Sequence, residues 1–182
     1  MTNFVRIVNA TGVIDGWGDI PTNQIPLQAR SGMTVLECSQ DTVQRDVVDN
    51  RTVISVDLAW VKNSLRALVD SNVQSARSSL ITDIAGQSQV YEKKEAEARA
   101  WVAGDETANP DKYPFMIAEA AALNVSVSDV RDSIIAKVNA VTPVMAELEA
   151  KRLAAKVSIS NADSISEAIA SSLIDLDLIM VD

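Results

Sequence analysis

Between Asp57 and Ala103 the chain has no proline, and apolar residues recur every three or four positions. A strand alternates its side chains and a helix repeats them about every 3.6 residues, so this spacing predicts one long helix. Leu58, Val61, Leu65, Val69, Val73, Ala76, Leu80, Ile84, Tyr91 and Ala98 follow one another at about 3.6–3.7 residues per turn, nearer an eleven-residue repeat than strict heptads. At about 1.5 Å per residue such a helix would be roughly 70 Å long, more than a domain of this size needs to cover its own core. Its stripe is therefore read as core or oligomer seam, with a coiled coil possible. Leu58, Val61, Leu65, Val69, Val73, Ala76, Leu80 and Ile84 are the expected seam residues. Gly86 is the weak point of the run, costing about 1 kcal/mol against alanine, and marks a kink or a close neighbour. Gly104 is the expected end, since a glycine relieves a left-handed cap.

What flanks this helix differs in kind. Residues 1–56 read as a small antiparallel β-module. Phe4 to Val8 alternates as a strand, Asn9-Ala10-Thr11-Gly12 is a turn, and Val13-Ile14 starts a return strand into Gly16-Trp17-Gly18. Met33 to Cys38 is a third strand, and Val47-Val48, Asp49-Asn50 and Thr52 to Val56 close a hairpin. Three to five short strands are marginal alone, so the module is expected to lean on the helix or on another chain. Residues 105–182 read as a helical module. Pro114 suits a first helical turn, Asn124 ends the Phe115 to Leu123 segment, and Ser126 with Asp129 opens the next helix as a capping box. Pro143 should kink or split that helix, and Ser164 with Glu167 caps a terminal one running to about Ile174. The fold class expected is α+β in three parts, 1–56, 57–104 and 105–182. The tail from Leu176 to Val181 reads equally as a strand or a docking peptide.

Chemistry is sparse. There is no histidine, which removes the usual general base and the usual zinc ligand, and one cysteine, Cys38, which has no partner for a disulfide within the chain. No catalytic residue, cofactor or metal is expected. Asp15 and Asp19 around Gly16-Trp17-Gly18 are the one carboxylate pair in a loop-like setting, and side chains bonding turn amides explain them best. That Gly-Trp-Gly lacks the lysine and the third glycine of a phosphate loop. With a net charge of −9 and basic residues interleaved with glutamates, neither nucleic acid nor an anionic membrane is an expected partner. No run of eighteen apolar residues and no signal peptide is apparent, so synthesis in a cytoplasm is expected. Trp17, Trp60 and Trp101 read as packing anchors, and they are also the candidates for docking a partner.

Two stretches resemble proteins encoded beside the tail-fibre genes of tailed bacteriophages. One runs through Gly12-Val13-Ile14-Asp15-Gly16-Trp17-Gly18 to Met33-Thr34-Val35-Leu36-Glu37-Cys38, similar to small phage β-modules. The other is Tyr91-Glu92-Lys93-Lys94-Glu95-Ala96-Glu97-Ala98-Arg99-Ala100-Trp101, then Tyr113-Pro114-Phe115-Met116 and Ala120-Ala121-Ala122-Leu123-Asn124-Val125-Ser126. It resembles the helical region of tail-fibre-associated and fibre-assembly proteins. The resemblance implies a virion tail protein at the tail tip, baseplate or fibre attachment, a homotrimer bound to other tail or fibre proteins, with no enzymatic residues. The alternative it implies is a fibre-assembly chaperone that stays in the host cytoplasm. Asp175 to Asp182 matches neither stretch.

Overall fold

A strand with one apolar face needs a cover, and the sheet finds it in the helices that follow. The computed structural model describes residues 2–39, 42–48, 51–80 and 87–176. It is α+β, with a three-stranded antiparallel sheet at the N-terminus and then helices. Strand β1 (Thr2–Val8) lies centrally, between β2 (Ile14–Ile20) and β3 (Met33–Cys38). Strands β4 (Val43–Val48) and β5 (Arg51–Val56) form a separate two-stranded sheet with Val43 opposite Val56. The expected module of three to five strands is thus two sheets. Helices α1 (Leu58–Leu80), α2 (Gln87–Ala100), α3 (Asp105–Ala108), α4 (Pro114–Leu123), α5 (Val127–Asn161) and α6 (Ile165–Ser172) follow.

Contacts divide the chain into two compact units, residues 1–74 with 149–176 and residues 75–148. These do not follow the three compositional parts, because the sheet takes its cover from segments distant in sequence. In the first unit Val5, Ile7 and Leu36 share a core with Val61, Leu65 and Val69 of α1, Ala155 and Ile159 of α5, and Ala168 and Ile169 of α6. Each large aliphatic buried here contributes about 1.5–3 kcal/mol. In the second unit Ala98, Tyr113, Met116, Ala120 and Val130 form the core, with Trp101, Ile117 and Ile134 against it.

Two local expectations need correction, and a third is narrowed. Val61, Leu65, Val69 and Val73 have no accessible surface. Four of the expected seam residues therefore lie in the chain's own interior, since the sheet and α5 need the apolar face of α1. Helix α2 ends at Ala100 rather than Gly104; Gly104 is left-handed (φ 83°) and instead precedes α3. Just past that end, the Trp101 indole N–H donates to Glu106 Oε2 at 2.9 Å. Of the two outcomes expected at Pro143, a kink or a split, the split does not occur: α5 runs through it for 35 residues. A proline in a helix interior costs about 3 kcal/mol, and burial of α5 residues on either side, Val130 before it and Ala155 and Ile159 after, offsets that cost. The expected continuity past Leu80, with Ile84 and Gly86, falls on residues 81–86, outside the described residues, as do Asp49-Asn50 and the tail after Leu176.

Candidate functional site

The Gly16-Trp17-Gly18 stretch is strand, and its glycines have a packing reason. Gly18 pairs with Phe4 and Gly16 with Arg6 across β1 and β2. A Cβ on Gly18 would sit 3.2 Å from the Phe4 ring, and one on Gly16 would sit 2.9 Å from the Arg6 guanidinium. Both side chains therefore use the space that the glycines leave open. Arg6 then reaches Asp15, with Nη2 to Oδ2 at 2.7 Å, so Asp15 is an ion-pair partner on the sheet. Asp19 is exposed on the same strand, and Trp17 keeps 39% of its surface. The buried hydroxyl of Thr34 on β3 donates to Asn9 Oδ1 at 2.8 Å.

The second cluster joins α1 to α5. Asp70 accepts from Arg152 Nη1 at 2.7 Å and from Lys156 Nζ, while Arg152 also holds Glu149 in a two-point pair. Hydrogen bonds from Lys156 and Arg152 hold the Asp70 carboxyl below the usual carboxylate range. The same pairs hold the Arg152 guanidinium above its ordinary value, through Glu149 first and Asp70 next. Because the Asp70 pKa is depressed, its contribution is present above the unfolded carboxylate value and lost as pH falls through the folded one. Asp70 keeps 44% of its side-chain surface, so screening limits the effect. Asp70→Asn is expected to lower stability by at most about 1 kcal/mol near neutrality and by nothing measurable in strong acid. Denaturant titrations of both proteins at the two pH values check this; an equal loss at both would refute it.

The third cluster is built by the stretch from Tyr91 to Met116. Glu97 on α2 is buried, and its carboxylate accepts from the amides of Phe115 (3.0 Å) and Met116 (2.9 Å) in the first turn of α4. Pro114 has no N–H, and Tyr113 at the cap offers no side-chain bond, so Glu97 supplies that turn's acceptor from another helix. Lys94 pairs with Glu119, Glu95 with Arg99, and Lys93 lies 5.8 Å from the centre of the Phe115 ring. Tyr113 Oη lies 2.8 Å from Asp105 Oδ2. The reciprocal Ser126–Asp129 bonds open α5 as expected, and their hydrogen bonds hold the Asp129 carboxyl below the usual range.

Trp60 packs on the first core and Trp101 on the second, each partly buried. Of the other seam candidates, Leu58, Ala76 and Leu80 are half-buried. The tertiary roles of Glu97, Asp70 and Arg6 have no local signal, because each partner lies on another element. The spacing of Glu97 and Trp101, four residues apart, indicates only a shared helix face.

Among the described residues no group of three or more histidine, cysteine, aspartate or glutamate side chains is placed to hold a metal ion, and no helix is long and apolar enough to cross a membrane. Burial raises the Cys38 thiol above its ordinary value, which disfavours the reactive thiolate. Asp15, Asp70, Glu97 and Asp105 are each occupied by a cation, an amide or a hydroxyl from the chain itself. What these clusters do chemically is hold elements together. No family model, no curated protein and no solved structure matches this chain.

Proposed function

We propose that the chain is a structural component of a bacteriophage tail, placed at the tail tip, baseplate or fibre attachment and binding neighbouring tail proteins. One observation supports this reading most: in both stretches that resemble phage tail proteins, the distinctive residues serve packing and helix capping. Gly16 and Gly18 make room for Arg6 and Phe4, and Glu97 caps α4. Such residues build a scaffold and expose no reacting group. Strands β2 and β3 are the edges of the three-stranded sheet, and an edge can accept a strand from a neighbour.

Mass spectrometry of purified particles of the phage encoding this chain tests the reading. The chain is expected in the particle at a fixed ratio to known tail proteins. A chain missing from particles, yet recovered with fibre protein from infected cells, would identify an assembly chaperone instead.

Self-association into a homotrimer belongs to the same proposal. Leu80, at the end of α1 and half-buried, is the seam candidate tested most directly. Leu80→Asp would place a charge in the seam and is expected to cost several kcal/mol of assembly free energy, on the order of a buried unpaired charge. Light scattering should report a smaller particle for the variant with unchanged helix content. A monomer for the unmutated protein at micromolar concentration would end the proposal of a trimer.

A further inference from the structure

We propose that Tyr113 and Asp105 form a proton-gated latch that holds the connector between α2 and α4 closed, and that a change of protonation on either partner weakens it. The connector, residues 101–113, contains α3 and the 3-10 turn Pro110–Lys112. Tyr113 is 2% exposed and anchors the core of its unit beside Ala98 and Met116. Its hydroxyl stands 2.8 Å from Asp105 Oδ2 and 3.3 Å from the carbonyl oxygen of Ala100, the last residue of α2. It has one proton to give, and the ionised carboxylate is the stronger acceptor. Asp105 also accepts from Asn109 Nδ2 and from Lys112 Nζ at 3.3 Å, so one carboxylate gathers three residues of the connector's second half.

In its strong, charge-assisted form the bond needs a neutral phenol and an ionised carboxyl. The Tyr113 hydroxyl, with Asn109 and Lys112 behind it, holds Asp105 below the usual carboxylate range. Asp105, together with burial and the charge of Glu106, pushes Tyr113 above the ordinary tyrosine value. The depressed Asp105 contributes stability above its unfolded pKa, and that is lost as pH falls through its folded value. The raised Tyr113 contributes below its unfolded pKa, and that is lost as pH rises through its folded value. The latch is strongest between those limits and weakens at either end. Of the other charged groups on the elements packed here, Glu97 of α2 is turned to the α4 amides and Lys94 to Glu119 of α4. Helix α5 meets the cluster with Val127, Val130 and Ile134, and its Arg131 is paired with Asp132 at 2.7 Å.

The chain has two tyrosines, so Tyr91→Phe leaves Tyr113 as the only phenol in the full-length protein. Its tyrosinate absorbance should rise at a pH above that of free tyrosine, and adding Asp105→Asn should bring the midpoint down. In Tyr113→Phe, which keeps the ring, amide exchange of residues 105–113 near neutrality should quicken by about tenfold, the size expected for one charge-assisted hydrogen bond. Circular dichroism should stay unchanged in that variant. Equal midpoints with Asp and Asn at position 105 overturn the latch. Should Asp105→Asn fail to fold, unchanged exchange in Tyr113→Phe overturns it independently.

Discussion

Val69→Asp is expected to unfold the first compact unit, lowering stability by about 4 kcal/mol or more. Val69 has no accessible surface and packs among Val5, Ile7, Leu36 and Ile159. The substitution forfeits roughly 1.5–3 kcal/mol of apolar burial. It also buries a carboxyl that must either stay charged without a cation or take up a proton and still lack a partner. Against a typical domain stability of about 5–15 kcal/mol, that loss is a large share of the total. Val157→Asp is the control, since Val157 on α5 is 61% exposed. It should change stability by no more than about 0.5 kcal/mol, as for most surface sites. Urea denaturation followed by circular dichroism compares the two. A Val69→Asp protein that remains folded but dissociated would show that this face of α1 is an intermolecular seam after all.

Glu97→Ala should cost about 2–4 kcal/mol, because two amides in the first turn of α4 lose a charged acceptor in a buried place. Met116, whose N–H lies 2.9 Å from Glu97 Oε2, is itself fully buried, so water cannot replace the carboxylate at that amide. Glu97→Gln keeps one oxygen and the side-chain length while losing the charge, and about half of the effect should return. Thermal denaturation of the three proteins gives the order native, Gln, Ala. If Ala and Gln are equally mild, within about 0.5 kcal/mol of native, Glu97 is not the cap.

Local rules carry much of the fold. Strand β3 begins and ends at Met33 and Cys38 as read from the sequence, and α4 begins at Pro114 where a missing N–H is harmless. Asn124 takes a left-handed φ of 55° just past α4, and the Ser126 and Ser164 caps open their helices. Each of these depends on neighbours within four residues, so a single sequence contains the cause. Elsewhere the local preference is not what the chain adopts. Gly104 could have ended α2, but the helix stops at Ala100 and Gly104 instead precedes α3. Pro143 disfavours a helix locally, yet the burial along α5 holds it in one.

The candidate clusters divide in the same way. Residue type and spacing alone identify Gly16-Trp17-Gly18 and the Tyr91 to Met116 stretch as distinctive, and they exclude histidine chemistry outright. They also establish that one face of α1 must be buried, because a periodic apolar stripe is a property of the helix itself. What buries it is a separate matter. The sheet order β2-β1-β3, the use of the Val61 to Val73 face as the chain's own core, and the pairing of Asp70 with Arg152 join residues far apart in the chain. Those choices depend on which distant surfaces fit together once the chain closes. Helical period and charge have no memory of a partner about eighty residues away, so only the tertiary structure decided them.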